Sequence, residues 1–190
     1  MKQALILLDY INEIVHPDGK LAQKGYPQFL HKRGTINKVN ATLKRARNLQ
    51  IPVLFVNLGF SADYCEVNPR SPIIGKAGEF GILQRNTWST EIFSEIEQDS
   101  SDYIIYKTRV SGFSSPDLIN TLKSENISKI FLGGVATQLT VESTVRQAHD
   151  LDFSVTVLED LCGTVSQDVH DISIAQMRVF GTVMSSEEAL

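Results

Sequence analysis

Three residues whose types could share one reaction stand at the ends of apolar runs. They are Asp9 in Leu7-Leu8-Asp9-Tyr10-Ile11-Asn12, Lys107 in Ile104-Ile105-Tyr106-Lys107-Thr108-Arg109, and Thr140, which follows Phe131-Leu132-Gly133-Gly134-Val135-Ala136. A carboxylate moves protons, an ammonium stabilises developing negative charge, and a hydroxyl attacks or lines a pocket. Thr140 comes after an apolar strand and a glycine turn and opens a helix, the place where α/β enzymes set a nucleophile. If the three runs are parallel strands, all three side chains reach the carboxyl edge of one sheet, where ligands of open α/β sheets bind. Plainer readings exist: an aspartate at a strand end caps the next helix, and a lysine there is a solvated charge.

The runs do read as strands. Ala4–Leu8, Val53–Val56, Tyr103–Tyr106, Ile130–Leu132, Val155–Leu158 and Val179–Met184 are short and continuously apolar, without the alternation of a half-exposed strand. Between them lie helical spacings. Thr35–Gln50 carries Ile36, Val39, Leu43 and Ala46 on one stripe, and Pro116–Asn126 starts on a proline after Ser114 and Ser115 as caps. Val141–Leu151 and Val169–Arg178 complete the alternation. Strands alternating with helices predict one domain over residues 1–190. Its fold class is a three-layer α/β/α, Rossmann-like, doubly wound parallel sheet. The irregular stretch Gly59–Thr90 is long for a compact domain, and such loops commonly roof a site or meet a partner subunit.

Composition narrows the function. With 42% hydrophobic and 21% charged residues the chain is an ordinary globular one, and its net charge of −4 gives no reason to expect nucleic acid or an anionic membrane as partner. No stretch approaches the roughly 20 apolar residues of a membrane span, and the apolar run at the start ends at Asp9, short for a signal peptide. Cys65 and Cys162 form no CxxC pair and read as reduced thiols of a cytoplasmic protein. Gly133-Gly134 belongs to neither a GxGxxG nor a GxxxxGK[ST] pattern, so no nucleotide cofactor is expected. Aromatic and polar side chains in loops at the active edge, Tyr10, Asn12, Phe60, Trp88 and Phe113, are the candidate pocket walls that would clamp a small planar substrate, each equally open to a packing role.

Several segments, in order, carry a family resemblance: Leu7-Leu8-Asp9 followed by His16-Pro-Asp-Gly-Lys20, Lys107 with Ser111-Gly112-Phe113, Gly134-Val-Ala-Thr137 with Val141-Glu-Ser-Thr144, and Glu159-Asp160-Leu-Cys162 followed by His170. Over nearly its whole length the chain resembles the isochorismatase-like hydrolases, a cysteine hydrolase superfamily. The resemblance implies a hydrolase of a small metabolite, assembled as a homodimer or homotetramer. Asp9 would be general base and acid, and Lys107 would support charge development. The pair Val135-Ala136 would form a non-proline cis peptide that aims backbone N–H groups at an oxyanion. Metal-binding members carry histidines in the loop after the second strand; here Asn57-Leu-Gly-Phe60-Ser-Ala-Asp63-Tyr64 has none, so no metal is expected. His149 and His170 fall in helical segments, and Cys162 matches a structural cysteine.

The departure is at residue 140, where the resemblance calls for a nucleophilic cysteine and the chain has Thr140. A thiol of reference pKa about 8.5 is ionised by a neighbouring carboxylate–lysine pair, whereas a hydroxyl needs a stronger base. Three readings stay open: a hydrolase using Asp9 and Lys107 with water on an amide, ureido acid or vinyl ether; a hydrolase attacking through Thr140; and a catalytically silent protein that binds a metabolite or protein partner.

Overall fold

The computed structural model describes all residues from Met1 to Leu190. Six strands, β1 (Lys2–Leu8), β2 (Val53–Leu58), β3 (Tyr103–Lys107), β4 (Ile127–Val135), β5 (Ser154–Gly163) and β6 (Thr182–Met184), form one sheet in the order β3-β2-β1-β4-β5-β6. Every pairing is parallel. The chain therefore needs a crossover between each pair of strands, and the helices supply most of that connection. They are α1 (Asn12–Val15), α2 (Tyr26–Arg33), α3 (Thr35–Asn48), α4 (Ala77–Phe80), α5 (Pro116–Ser124), α6 (Glu142–Asp150), α7 (Gln167–Met177) and α8 (Ser186–Ala189).

Both faces of the four central strands are covered, which is why they read as unbroken apolar runs, while edge strand β3 leaves Tyr103 and Ile104 exposed. Leu5 and Leu7 of β1 pack with Phe55, Phe131 and the stripe Val39, Leu43 and Ala46 of α3. Ala4, Ile6 and Leu8 point the other way, into Leu118 and Leu122 of α5, Val145 and Ala148 of α6, and Ile174 and Met177 of α7. The three-layer expectation from the sequence is what the structure shows. The strands run longer than their apolar cores: β4 extends to Val135 through Gly133 and Gly134, and β5 to Gly163. Glycines are needed there because strands come close. A Cβ on Gly134 would stand 2.6 Å from Leu8 Cβ and one on Gly133 2.7 Å from Leu161 Cβ.

Four sequence expectations change. The last strand spans Thr182–Met184 rather than Val179–Met184; the chain turns at Val179, which is 76% exposed. Ser115 sits at the N-cap of α5, but its side chain makes no capping bond, and Ser111 instead accepts from the Phe113 N–H. The helix of residues 141–151 is preceded by a π-helical turn, Thr137–Val141. Helix α2, not anticipated, fits between Gly25 (φ 110°) and Gly34 (φ 63°), whose left-handed backbones end one element and begin the next.

Candidate active site

The order of the strands reverses between β1 and β4, and the crevice at such a switch point is where open α/β sheets bind ligands. Asp9 follows β1, Lys107 ends β3 and Thr140 lies in the turn after β4. Asp9 leaves the strand with φ of 59°, a left-handed conformation that a short polar side chain tolerates better than a branched one. That bend carries its carboxylate across the end of β2, where Oδ1 accepts the Leu58 N–H at 2.6 Å. Lys107, two strands away, reaches over the same edge, and its Nζ donates to Asp9 Oδ2 at 2.8 Å and to the Arg109 carbonyl at 3.3 Å. Asp9 is 3% exposed and Lys107 1%. Two opposite charges so deeply buried are tolerated because they are paired and further hydrogen-bonded.

Thr140 is 3% exposed, and its hydroxyl donates to the Val110 carbonyl at 3.0 Å. No hydrogen bond joins it to Asp9 or to Lys107. Its backbone is held too: the Thr144 hydroxyl donates to the Thr140 carbonyl at 2.6 Å and accepts the Gly112 N–H at 2.9 Å. The start of the turn is fixed from behind. Thr137 Oγ1 lies 3.1 Å from His170 Nδ1, the ring's Nε2 is 3.4 Å from Glu159, and Glu159 pairs with Arg33 at 2.8 Å. The hydrogen bond with His170, followed by the charge of Arg33, holds the Glu159 carboxyl below its usual pKa.

Asp9, Lys107, Thr140, Val135 and Ala136 line a single small cavity of about 70 Å³. The Val135–Ala136 peptide is cis. The rest of the wall is mostly apolar: Ile14, Leu21, Leu58, Ile73, Ile74, Val110 and Leu139, with Lys24 and Tyr26. The five residues expected as walls from their position near the edge do not line it. Tyr10 is fully buried and donates its hydroxyl to the Leu161 carbonyl at 2.6 Å; burial raises its pKa well above the phenol value. Phe60 is enclosed in the core and Phe113 stacks on Phe153. Asn12 donates to the Trp88 carbonyl, and Trp88, 43% exposed, meets the edge of His16.

The wall residues that sequence did not single out include Ile14 of α1, Leu58 at the end of β2, and Val110 and Leu139 beside Lys107 and Thr140. The others come from less regular segments: Leu21 and Lys24 from the connection after α1, Tyr26 from the start of α2, and Ile73 and Ile74 from the long loop. One buried carboxylate, Glu13, knits these segments together. Its Oε1 accepts the N–H groups of Lys20 and Leu21 at 2.8 and 3.1 Å, and its Oε2 accepts the Ser89 hydroxyl at 2.8 Å. The only signal in the sequence was an acidic residue inside an otherwise apolar stretch.

Neither cysteine lines the cavity. Cys162 is fully buried, and burial pushes its thiol far above the usual pKa; Cys65 is exposed in the long loop. The one group of side chains spaced to hold a metal, Asp63, Cys65 and Glu66, also stands apart from the cavity walls. A wider groove of about 740 Å³ beside α2 and α3 contains none of Asp9, Lys107 or Thr140.

A family model for the isochorismatase domain matches residues 3–188. The chain is 32% identical over 171 residues to the ureidoacrylate amidohydrolase RutB of Variovorax paradoxus, an alignment covering 83% of this chain and 67% of that protein. Among solved structures, a cysteine hydrolase from Pseudomonas syringae pv. phaseolicola superposes with a TM-score of 0.87 at 24% identity, over 99% of this chain and 90% of that one. An N-carbamoylsarcosine amidase from Thermoplasma acidophilum gives a TM-score of 0.74 at 24% identity, over 98% of each chain. These two show the fold. The family match over residues 3–188 runs through all six strands, and the chain belongs to the isochorismatase family of hydrolases.

Proposed function

We propose that this hydrolase cleaves the C–N bond of a small amide or ureido compound with water, using Asp9 and Lys107, and that Thr140 is a wall of the site rather than its nucleophile. The observation that carries this reading is the Thr140 hydroxyl. Its proton is engaged by the Val110 carbonyl, and no base lies within hydrogen-bond reach to remove it. On the resemblance of this turn to that of cysteine hydrolases, Thr140 occupies the nucleophile's place without its chemistry. The carboxylate–ammonium pair is intact.

In this scheme Asp9 takes a proton from water as the water oxygen bonds to the substrate carbonyl carbon. Lys107 offsets the negative charge that builds beside it. The protonated Asp9 then returns the proton to the nitrogen as the C–N bond breaks, leaving a carboxylic or carbamic acid and an amine. Each Asp9 oxygen already accepts one hydrogen bond and keeps a lone pair for this exchange. The bond class is supported by the names of relatives, an amidohydrolase and an amidase. A cavity this small takes only the reacting end of a ligand, well below the roughly 300–1,000 Å³ of drug-sized sites.

A panel of amides, ureido acids and vinyl ethers, run against Asp9→Asn as blank, tests the proposal. Turnover of amide or ureido members only, abolished in the variant and unchanged by a chelator, is expected. Turnover of vinyl ethers alone would move the activity to proton-initiated ether cleavage. The protein assembles as a homo-oligomer in this proposal, supported by Ile73, Phe80 and Trp88, which the long loop leaves 50%, 50% and 43% exposed. Two free cysteines suit a cytoplasmic setting.

A further inference from the structure

Strand β3 closes one side of the sheet, and its outer edge is open. The Gly59 N–H donates to the Lys107 carbonyl, so Lys107 and, by alternation along the strand, Ile105 and Tyr103 direct their backbone groups at β2. Ile104 and Tyr106 direct theirs outward, and none of those N–H and C=O groups is hydrogen-bonded. A shallow groove of about 540 Å³ runs along this edge, rimmed by Pro116, Asp117 and Asn120 of α5 and by Arg85. Sheet edges are commonly guarded by a proline, a bulge or an outward lysine. The segment Tyr103-Ile-Ile-Tyr-Lys107 has no proline and pairs with β2 in unbroken register, and its lysine is turned inward to Asp9. Ile104 is left 45% exposed, while Tyr106 on the same face is half-buried with the Arg85 guanidinium 5.3 Å from its ring centre.

We propose that the open edge of β3 docks a second copy of this chain, the two β3 strands pairing antiparallel about a two-fold axis through Ile105. The register follows from which backbone groups are free. With Ile105 opposite the partner's Ile105, Ile104 exchanges both backbone hydrogen bonds with the partner's Tyr106, and Tyr106 does so with the partner's Ile104. Every outward group of both strands is then satisfied. An axis through Ile104 or Tyr106 would set that residue against itself and leave the other unpaired. The chosen register also puts isoleucine against tyrosine at both hydrogen-bonded positions, a pairing of β-branched with aromatic side chains that stabilises sheets. Lys107 falls opposite the partner's Tyr103, so no like charges meet. The near-palindrome Tyr103-Ile104-Ile105-Tyr106 is what selects a second copy, since a foreign peptide would require no symmetry of the strand. Such a contact is isologous and closes at two chains. It is separate from the exposed Ile73, Phe80 and Trp88, none of which lines the groove, and it holds from its free side the strand that ends on Lys107.

Light scattering over a dilution series tests this on the wild type, Ile104→Lys and Ile104→Val. Ile104→Lys alters both symmetric pairs at once and should halve the wild-type mass, raising the dissociation constant about tenfold or more, whereas Ile104→Val should leave the mass unchanged. The halving is expected whether or not the long loop makes a further contact, so failure here is distinct from failure of assembly through that loop. Cross-linking in a Cys65→Ser background reads the register. The Cα atoms of a hydrogen-bonded antiparallel pair stand about 5.5 Å apart, within the roughly 4.4–6.8 Å that a disulfide spans. Under oxidised glutathione, a mixture of Ile104→Cys and Tyr106→Cys proteins should therefore form the mixed disulfide faster than either protein cross-links alone. Should Ile104→Lys not fold, the mixed disulfide decides. A monomeric wild type, an Ile104→Lys protein of unchanged mass, or no preference for the mixed disulfide would overturn the proposal. So would a monomer whose Ile104 and Tyr106 amides gain exchange protection only when an extended peptide is added, a result that gives the edge to a foreign strand.

Discussion

Asp9 and Lys107 are buried so deeply that each is the other's main counter-charge, which makes the pair costly to break from one side. Removing one partner leaves an uncompensated buried charge and costs about 3–5 kcal/mol, while removing both costs less than the sum. Thermal or urea unfolding of Asp9→Asn, Lys107→Met and the double variant should show that pattern; strict additivity would mean the two do not act as a pair. Thr140 gives a second test. Replacing it by cysteine places a thiol beside the carboxylate–ammonium pair and just before α6, whose N-terminal dipole favours a thiolate by about 0.3–1 kcal/mol. In Thr140→Cys, iodoacetamide at pH 7 should alkylate residue 140 faster than Cys65, leave Cys162 untouched, and slow when Asp9→Asn is added. Preferential labelling of Cys65 would count against activation at the turn. The sequence exposed these three residues because each follows an apolar run at a strand end. Tyr10 and Phe60 stand just as close to the edge, but nothing in their spacing told a wall from a core residue: the Leu161 carbonyl claims one and the sheet interior the other.

At the scale of elements, Asp9, Lys107 and Thr140 are only as well placed as the strands that carry them. The contact of Gly134 with Leu8 sets how close β4 comes to β1, and Leu8 precedes Asp9. A methyl group there would meet Leu8 backbone at 2.7 Å, so Gly134→Ala should destabilise the fold by about 1–3 kcal/mol, the usual cost of overpacking, and lower turnover more than a distant substitution of equal stability cost. Unchanged stability would show that the strands can separate freely. Parallel strands buried on both faces announce themselves as apolar runs, which is why the four central ones could be placed from sequence, while β6, at the edge, was drawn three residues too long. Their ends could not, since Gly133, Gly134 and Asp160 continue the ladder for reasons of backbone approach and pairing, not hydrophobicity. Helix α2 escaped because Tyr26–Arg33 is short, contains Pro27 and presents few apolar residues. Its place is set by the glycines at its two ends.

For the molecule as a whole, the cavity is closed by segments that meet only after folding. Loop residues Ile73 and Ile74 and the connection through Leu21 and Lys24 converge on it from opposite sides of the chain, and Glu13 ties their neighbours together. No periodicity records such convergence, so the meeting of Asp9, Lys107 and Thr140 was legible and the rest of the cavity wall was not. The same loop exposes Ile73, Phe80 and Trp88, and light scattering should give a mass that is a multiple of 21.1 kDa; a monomer at micromolar concentration would count against assembly through this loop. No helix is long and apolar enough to cross a membrane. The central claim, that Asp9 and Lys107 work with water while Thr140 only shapes the site, is tested most directly by comparing kcat of Thr140→Ala and Asp9→Asn on one turned-over ureido or amide substrate. Loss of the proton-transfer group should cost about 10²–10⁴-fold, whereas Thr140→Ala should stay within about tenfold of wild type. A Thr140→Ala enzyme as inactive as Asp9→Asn, yet folded, would make Thr140 the nucleophile and contradict the account.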